Sequence, residues 1–201
     1  MWHYYPEHYM FSYQVVRMSS QALFGGGEFN EILEAASGIT AGDYESFHRA
    51  WRRIGDRARR EADEALERGH LQTARAAYLR AANYLRCAEF FLVPEDSRKN
   101  ETYLKAVDSF RLGAQLLDRP PQVVKIPYEG SHLPGYFFQA PGQPKGPFVI
   151  MFGGLDSTAE ELYFGPAQLL NERGISLLAV DGPGQGGALR LNHIQSRYDY
   201  N

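Results

Sequence analysis

Apolar residues recur at three- and four-residue intervals through the first part of this chain, and then in short continuous or alternating runs through the rest. The period changes at Asp118-Arg-Pro-Pro-Gln122, where two prolines cannot continue a helix and bias the chain toward extended backbone. Upstream, Phe47, Trp51, Ile54, Ala58, Ala62, Ala65 and Leu66 fall on one face of a helix, with Arg and Glu on the other. Asp43 is placed to cap that helix and Gly69 to end it near Arg68. Shorter helices are predicted over residues 12–24, stopped by Gly25-Gly26-Gly27, and over 29–36, ended by Ser37-Gly38. Residues 71–91 repeat the amphipathic pattern and are closed by Pro94; Ser97 or Asn100 then opens a helix to about Leu117. The first domain is accordingly drawn over 1–118 and the second over 119–201.

The second part reads as strands. Residues 122–128 and 133–139 flank the turn Glu129-Gly130-Ser131 and predict a hairpin. Residues 148–152 are a continuous apolar run, the pattern of a strand buried on both faces. A helix is predicted over 158–172, kinked or restarted at Gly165-Pro166, and Gly174 ends it. Residues 175–180 form the next strand, parallel to 148–152, with an open sheet edge expected beyond it. An antiparallel hairpin feeding a parallel β-α-β unit predicts one α/β sheet. In the first part, residues 69–91 (Ala74, Tyr78, Ala81, Ala82) are similar to one tetratricopeptide unit, yet no second copy follows and such arrays need about three.

Two loops carry the chemistry: Met151-Phe-Gly-Gly-Leu-Asp-Ser-Thr-Ala-Glu-Glu161 and Asp181-Gly-Pro-Gly-Gln-Gly186. With the order of elements around them, they resemble the front half of an α/β-hydrolase. The resemblance is to the branch with an N-terminal helical domain, which includes the bacterial dihydroxypseudooxynicotine hydrolase, fungal polyketide-shortening pigment hydrolases and fermentation-respiration-switch-type esterases. It covers the whole chain, although only the two loops are specific. It implies an α/β-hydrolase core, of which this is the N-terminal part of the sheet, preceded by an all-helical cap lying over the C-terminal ends of the strands. It implies hydrolysis of a ketone-adjacent C–C bond or an ester in a small aromatic or polyketide-like substrate, through a Ser-His-Asp triad. An acyltransferase on the same scaffold uses the same acyl-enzyme and is not separated from it by sequence. A non-catalytic interaction protein is the rival from another class.

Carried over by position, Gly153-Gly154-Leu155 matches the loop that supplies one backbone N–H of the oxyanion hole. The N–H of Leu155 is the implied donor and Gly154 the residue setting the turn. The nucleophile of this fold sits in a Gly-x-Ser-x-Gly elbow, and no such motif occurs in the 201 residues. The triad is therefore expected on a C-terminal segment, as a second chain, a nicked product or lost sequence, and the 201-residue chain alone is expected to be unstable and inactive. A helix leading to the nucleophile strand is expected to begin near Ser196.

Other residues are assigned structural duties. Ser157 lacks a nearby histidine and stands three residues before Glu160, as in a capping box. Asp181 is expected to fix its loop through side-chain to backbone bonds. Neither loop has the Gly-x-x-x-x-Gly-Lys pattern of a phosphate cradle, and Gly182-Pro-Gly-Gln-Gly-Gly187 lacks the acidic partner of a dinucleotide fingerprint. The six histidines show no metal-ligand spacing, so no metal or cofactor is expected. The aromatic opening (Trp2, Tyr4, Tyr5, Tyr9, Phe11, Tyr13) is expected to pack a core rather than line a pocket. A net charge of −3 with 22% charged residues gives no field suited to nucleic acid or an anionic membrane. The single cysteine, Cys87, lies in an apolar helical stretch and suits a reducing cytoplasm. No signal peptide is read at the N-terminus and no run approaches the ~20 residues of a membrane span. Expected partners are a small-molecule substrate, the C-terminal half of the hydrolase and further copies of the chain in a homo-oligomer.

Overall fold

The computed structural model describes residues 2–142 and 145–197. The chain divides into two compact units, Met1–Leu117 and Asp118–Asn201. The first holds five helices: α1 (Tyr9–Ala22), α2 (Phe29–Ser37), α3 (Tyr44–Glu67), α4 (Leu71–Glu89) and α5 (Ser97–Gln115). Their ends follow local chemistry. The Asp43 carboxylate accepts from the N–H groups of Glu45 and Ser46 at the start of α3. At its other end Gly69 adopts a φ of 74°, and the His70 N–H reaches back to the Ala65 carbonyl at 2.8 Å.

The apolar face of α3 does what its spacing predicts. Phe47, Trp51, Ile54 and Ala58 are fully buried against Phe11, Val15 and Met18 of α1, Ile32 of α2, and Ala81, Tyr84 and Cys87 of α4. Ala62 and Ala65 join Ala74, Ala77 and Tyr78 in a second cluster. Leu66 departs from the pattern and is exposed. Small residues let the helices approach closely: a Cβ on Gly55 would lie 2.9 Å from Leu85 Cγ, and one on Gly113 3.0 Å from Tyr78 Cβ. The polar face of α3 is not simply solvated. Arg57 pairs with Glu34 of α2, while Arg52 and Arg59 pair with Glu101 and Asp108 of α5. The aromatic opening is divided: Tyr5 and Phe11 are core residues, whereas Trp2, Tyr9 and Tyr13 are exposed.

The second unit is a four-stranded mixed sheet of β1 (Gln122–Tyr128), β2 (Ser131–Phe138), β3 (Phe148–Met151) and β4 (Ser176–Val180), in the order β1-β2-β4-β3. It also holds α6 (Pro166–Glu172) and α7 (Gly186–Arg190). The hairpin between β1 and β2 closes through Glu129 and Gly130, at φ 43° and 77°, the double positive φ of a two-residue type I′ connection. β2 pairs antiparallel with β4, and β3 pairs parallel with β4. Gly135 is required at the crossing, because a Cβ there would lie 2.5 Å from the Ala179 carbonyl oxygen.

Several expectations meet a different outcome. Of the helix predicted over 158–172, the regular part starts at Pro166, one of the two outcomes expected at Gly165-Pro166, and the residues before it form only a 3-10 turn at Glu161–Tyr163, since proline at the first helical position starts a helix. The open edge is not at β4. The crossover inserts β4 between β2 and β3, so both its sides are paired and the edges are β1 and β3. β3 is not buried on both faces. Phe148 and Ile150 point to the same face, the one with the open groove, and are each 58% exposed. The helix expected near Ser196 is not seen at Ser196 and Arg197; residues 198–201 lie outside the described residues.

One face of this sheet is covered. Tyr136, Phe138, Leu177 and Ala179 are buried on it, with the Phe138 ring 5.6 Å from that of Tyr163, and Asn171 of α6 donates to the Phe138 carbonyl. On the other face Ile126, Leu133, Ile150, Leu178 and Val180 line an open groove of about 530 Å³.

Candidate active site

The two loops singled out in the sequence follow the C-terminal ends of the adjacent parallel strands β3 and β4, where α/β sheets place their ligands. The first loop leaves β3 through Phe152 and Gly153. Its Gly154 carbonyl accepts from the Ser157 N–H at 3.0 Å, which folds residues 154–157 into a turn. Neither Gly153 nor Gly154 has a positive φ, and close approach is required at Gly153 alone, since a Cβ on Gly154 would come no nearer than 4.0 Å to Asp156 Oδ1. A Cβ on Gly153 would sit 2.2 Å from Ser157 Oγ, so only glycine fits beside that serine. Leu155 is 75% exposed beside the apolar groove, and among the described residues its N–H has no acceptor.

Ser157 does not form the capping box its spacing predicts. Its hydroxyl donates to Glu161 Oε2 at 3.0 Å, one residue beyond the expected partner. Glu160 turns inward instead, and its Oε1 accepts from the Tyr136 hydroxyl at 2.8 Å. With no helix starting at Ser157, the reciprocal backbone bonds of a capping box have nothing to close.

The second loop is organised by Asp181, which is 2% exposed. Its Oδ1 accepts from the Ala159 N–H and its Oδ2 from the Gly187 N–H, each at 2.7 Å. One carboxylate therefore ties the segment after β3 to the segment after β4. Burial pushes the Asp181 carboxyl up to about 7, the Glu160 charge adds to this, and the Gly187 and Ala159 N–H groups oppose it. Gly186, at φ 34°, is required there, because a Cβ would lie 2.4 Å from the Asp181 oxygens. Glu160, Glu161 and Asp181 are acidic neighbours, yet among the described residues no group of three or more His, Cys, Asp or Glu is placed to hold a metal ion.

Gln185 makes a second bridge, one that sequence reasoning passed over. Its Nε2 donates to the carbonyls of Gly153 at 2.8 Å and Gly154 at 2.6 Å, and its Oε1 accepts from the Gly182 N–H at 2.9 Å. The available signal was a single long amide side chain within Gly-Pro-Gly-Gln-Gly. Its partner could not be named, because it lies more than thirty residues away in the chain.

Comparison with known proteins bears on this geometry. Residues 29–197 match the family described as "Esterase FrsA-like". The chain is 39% identical to the hydrolase acrC of Aspergillus aculeatus, an alignment covering 100% of this chain and 50% of that protein. It is 38% identical to the 20-hydroxy-prefusarin hydrolase FUS2 of Gibberella moniliformis, covering 94% of this chain and 47% of that one. The chain thus spans about half the length of the curated relatives it matches. The crystal structure of the 2,6-dihydroxy-pseudo-oxynicotine hydrolase superposes with a TM-score of 0.71 at 25% identity, over 86% of this chain and 48% of that one.

Proposed function

The chain belongs to the FrsA-like esterase family, and from that premise we propose that it supplies the helical cap and first four core strands of a serine hydrolase. The substrate is a small aromatic or polyketide-like molecule, cleaved at a ketone-adjacent C–C bond or an ester. Two relatives, named for 20-hydroxy-prefusarin and 2,6-dihydroxy-pseudo-oxynicotine, support a hydroxylated organic substrate of modest size. The serine nucleophile, histidine base and orienting aspartate lie on a polypeptide segment C-terminal to these residues. The exposed edge and apolar side chains of β3 are where the strands of that segment pair and pack, since apolar surface left in water costs about 25 cal/mol per Å².

The observation that carries this reading is the N–H of Leu155, without an acceptor among the described residues and exposed beside an apolar groove at the end of a parallel strand. When serine attacks a carbonyl, the oxygen gains negative charge. A donor already aimed at that oxygen in a dry site stabilises the transition state by about 3 kcal/mol. The segment after the nucleophile supplies the second donor. Ser157 takes no part in attack: it is buried, its hydroxyl is committed to Glu161, and it serves the turn.

The test is to express residues 1–201 alone, and separately followed by the second half that the relatives possess, and to assay 4-nitrophenyl acetate. Turnover is expected only from the longer polypeptide. Turnover by the 201 residues alone, abolished by Ser157→Ala, overturns the assignment.

A further inference from the structure

We propose that Gln185 is a positioning residue for hydrolysis: its side-chain amide sets the direction in which the Leu155 N–H points. This inference rests on the oxyanion role assigned to Leu155 above. The Gly154 carbonyl and the Leu155 N–H belong to one planar trans peptide, so they point in opposite directions. Whatever holds that carbonyl therefore aims that N–H. Two donors hold it: the Ser157 N–H at 3.0 Å and Gln185 Nε2 at 2.6 Å. The same amide nitrogen has a second N–H and donates it to the Gly153 carbonyl at 2.8 Å, which fixes the preceding peptide as well.

The amide cannot be turned over without loss. A flip would put its oxygen against two carbonyl oxygens and its NH₂ against the Gly182 N–H, which now bonds Oε1 at 2.9 Å. Its loop is anchored in turn, because Asp181 binds the Gly187 N–H on one side of Gln185 and the Ala159 N–H across the gap. The side chain thus transmits a rigid support on the β4 side to a loop that has little of its own. Gly153 and Gly154 carry no side chains to pack, and Leu155 is largely in solvent. A loop of this kind samples many peptide orientations unless hydrogen bonds select one. A donor that must first be aimed when charge develops loses part of its benefit, whereas one aimed beforehand stabilises the transition state directly. The Gln185 contribution should therefore appear in kcat and in binding of tetrahedral analogues, with little change in KM.

The experiment uses the complete enzyme, these residues followed by the segment bearing the triad, with 4-nitrophenyl acetate as substrate and an aryl trifluoromethyl ketone as tetrahedral analogue. Gln185→Met keeps the length and removes both donors. Gln185→Glu sets a carboxylate against two carbonyl oxygens, and Gln185→Asn retains an amide too short to span both. Leu155→Pro removes the N–H itself and should lower kcat by about 10²- to 10³-fold. Gln185→Met should lower kcat about tenfold and Gln185→Glu about a hundredfold, with KM changed less than about threefold and ketone affinity falling in step with kcat. Gln185→Asn should fall between wild type and Gln185→Met. If Leu155→Pro leaves kcat intact, the oxyanion reading fails, and this proposal with it. If Leu155→Pro lowers kcat while Gln185→Met and Gln185→Asn keep wild-type kcat and ketone affinity, the positioning role alone is overturned. A rise in KM with kcat and ketone affinity unchanged overturns it equally, since that is the mark of uniform binding. Should Gln185→Glu fail to fold, the Met and Asn variants carry the same comparison.

Discussion

Replacing Asp181 by alanine tests how the two loops are held together. The carboxylate accepts two backbone N–H groups, from Ala159 and Gly187, at 2.7 Å each and in a buried setting. Alanine leaves both donors without acceptors, at about 1–3 kcal/mol apiece, so a loss of about 2–6 kcal/mol is expected before the loops relax. An opposing effect depends on pH. Burial, with Glu160 nearby, pushes the Asp181 carboxyl up from 3.8 to about 7, although Arg190 and the two N–H groups pull the other way. Between those values the unfolded chain has released its proton and the folded chain retains it. Wild-type stability from this group is therefore fully present below about pH 4 and lost as pH rises through about 7, with a slope of at most about 1.4 kcal/mol per pH unit. Asp181→Ala lacks that slope. Its penalty should be largest at about pH 4 and below and smallest above about pH 7. Urea unfolding followed by far-UV circular dichroism across this range measures it. Tryptophan fluorescence serves as an internal control in the 201-residue chain, since Trp2 and Trp51, its two tryptophans, both lie in the first unit. A penalty that grows with pH would show Asp181 ionised in the fold. No penalty at any pH would show that the two N–H bonds do not hold the loops.

Two further substitutions probe the units separately. Gly135→Ala places a Cβ 2.5 Å from the Ala179 carbonyl oxygen, a backbone atom that cannot step aside; it should cost at least about 1–3 kcal/mol in urea unfolding of the second unit and leave the first unchanged. Asp43→Ala removes the acceptor for the Glu45 and Ser46 N–H groups at the start of α3; a loss of about 0.5–2 kcal/mol is expected in the first unit, and Asp43→Asn should recover most of it.

Much of the fold was legible in the chain, because the signals that carry it are local. The three- and four-residue spacing of Phe47, Trp51, Ile54 and Ala58 states a helix and its buried face, and the structure buries all four. Asp43 and Gly69 mark the ends of α3 through bonds made within a few residues. The turn at Glu129-Gly130-Ser131 could be read from its glycine between two apolar runs, although the structure closes it in two residues and starts β2 at Ser131. The order hairpin, strand, helix, strand could be read for the same reason, as could the position of both glycine loops at strand ends.

Where local pattern met a choice between distant partners, the outcome came from packing in the folded molecule. An apolar run such as Phe-Val-Ile-Met at β3 declares that both faces can be buried, but burial needs neighbours, and β4 took the inner place between β2 and β3. Ser157 can bond either Glu160 or Glu161 by sequence; the pull of the Tyr136 hydroxyl on Glu160, 24 residues away, left it Glu161. The need for glycine at 153 comes from the close approach of Ser157 and at 186 from Asp181, not from a shared turn rule. Gln185 is the extreme case. Its residue type says only that it has two donors and an acceptor, and the identity of the carbonyls it grips, 32 and 31 residues upstream, exists only once β3 and β4 lie side by side. Which elements form, and where glycines and caps end them, is written locally in the chain, because those energies are set within a turn of it. The pairing of strands and the Gln185 bridge to the Gly153 and Gly154 carbonyls follow from hydrogen bonds between distant residues, and a bond of about 3 Å between them is available only in the folded molecule.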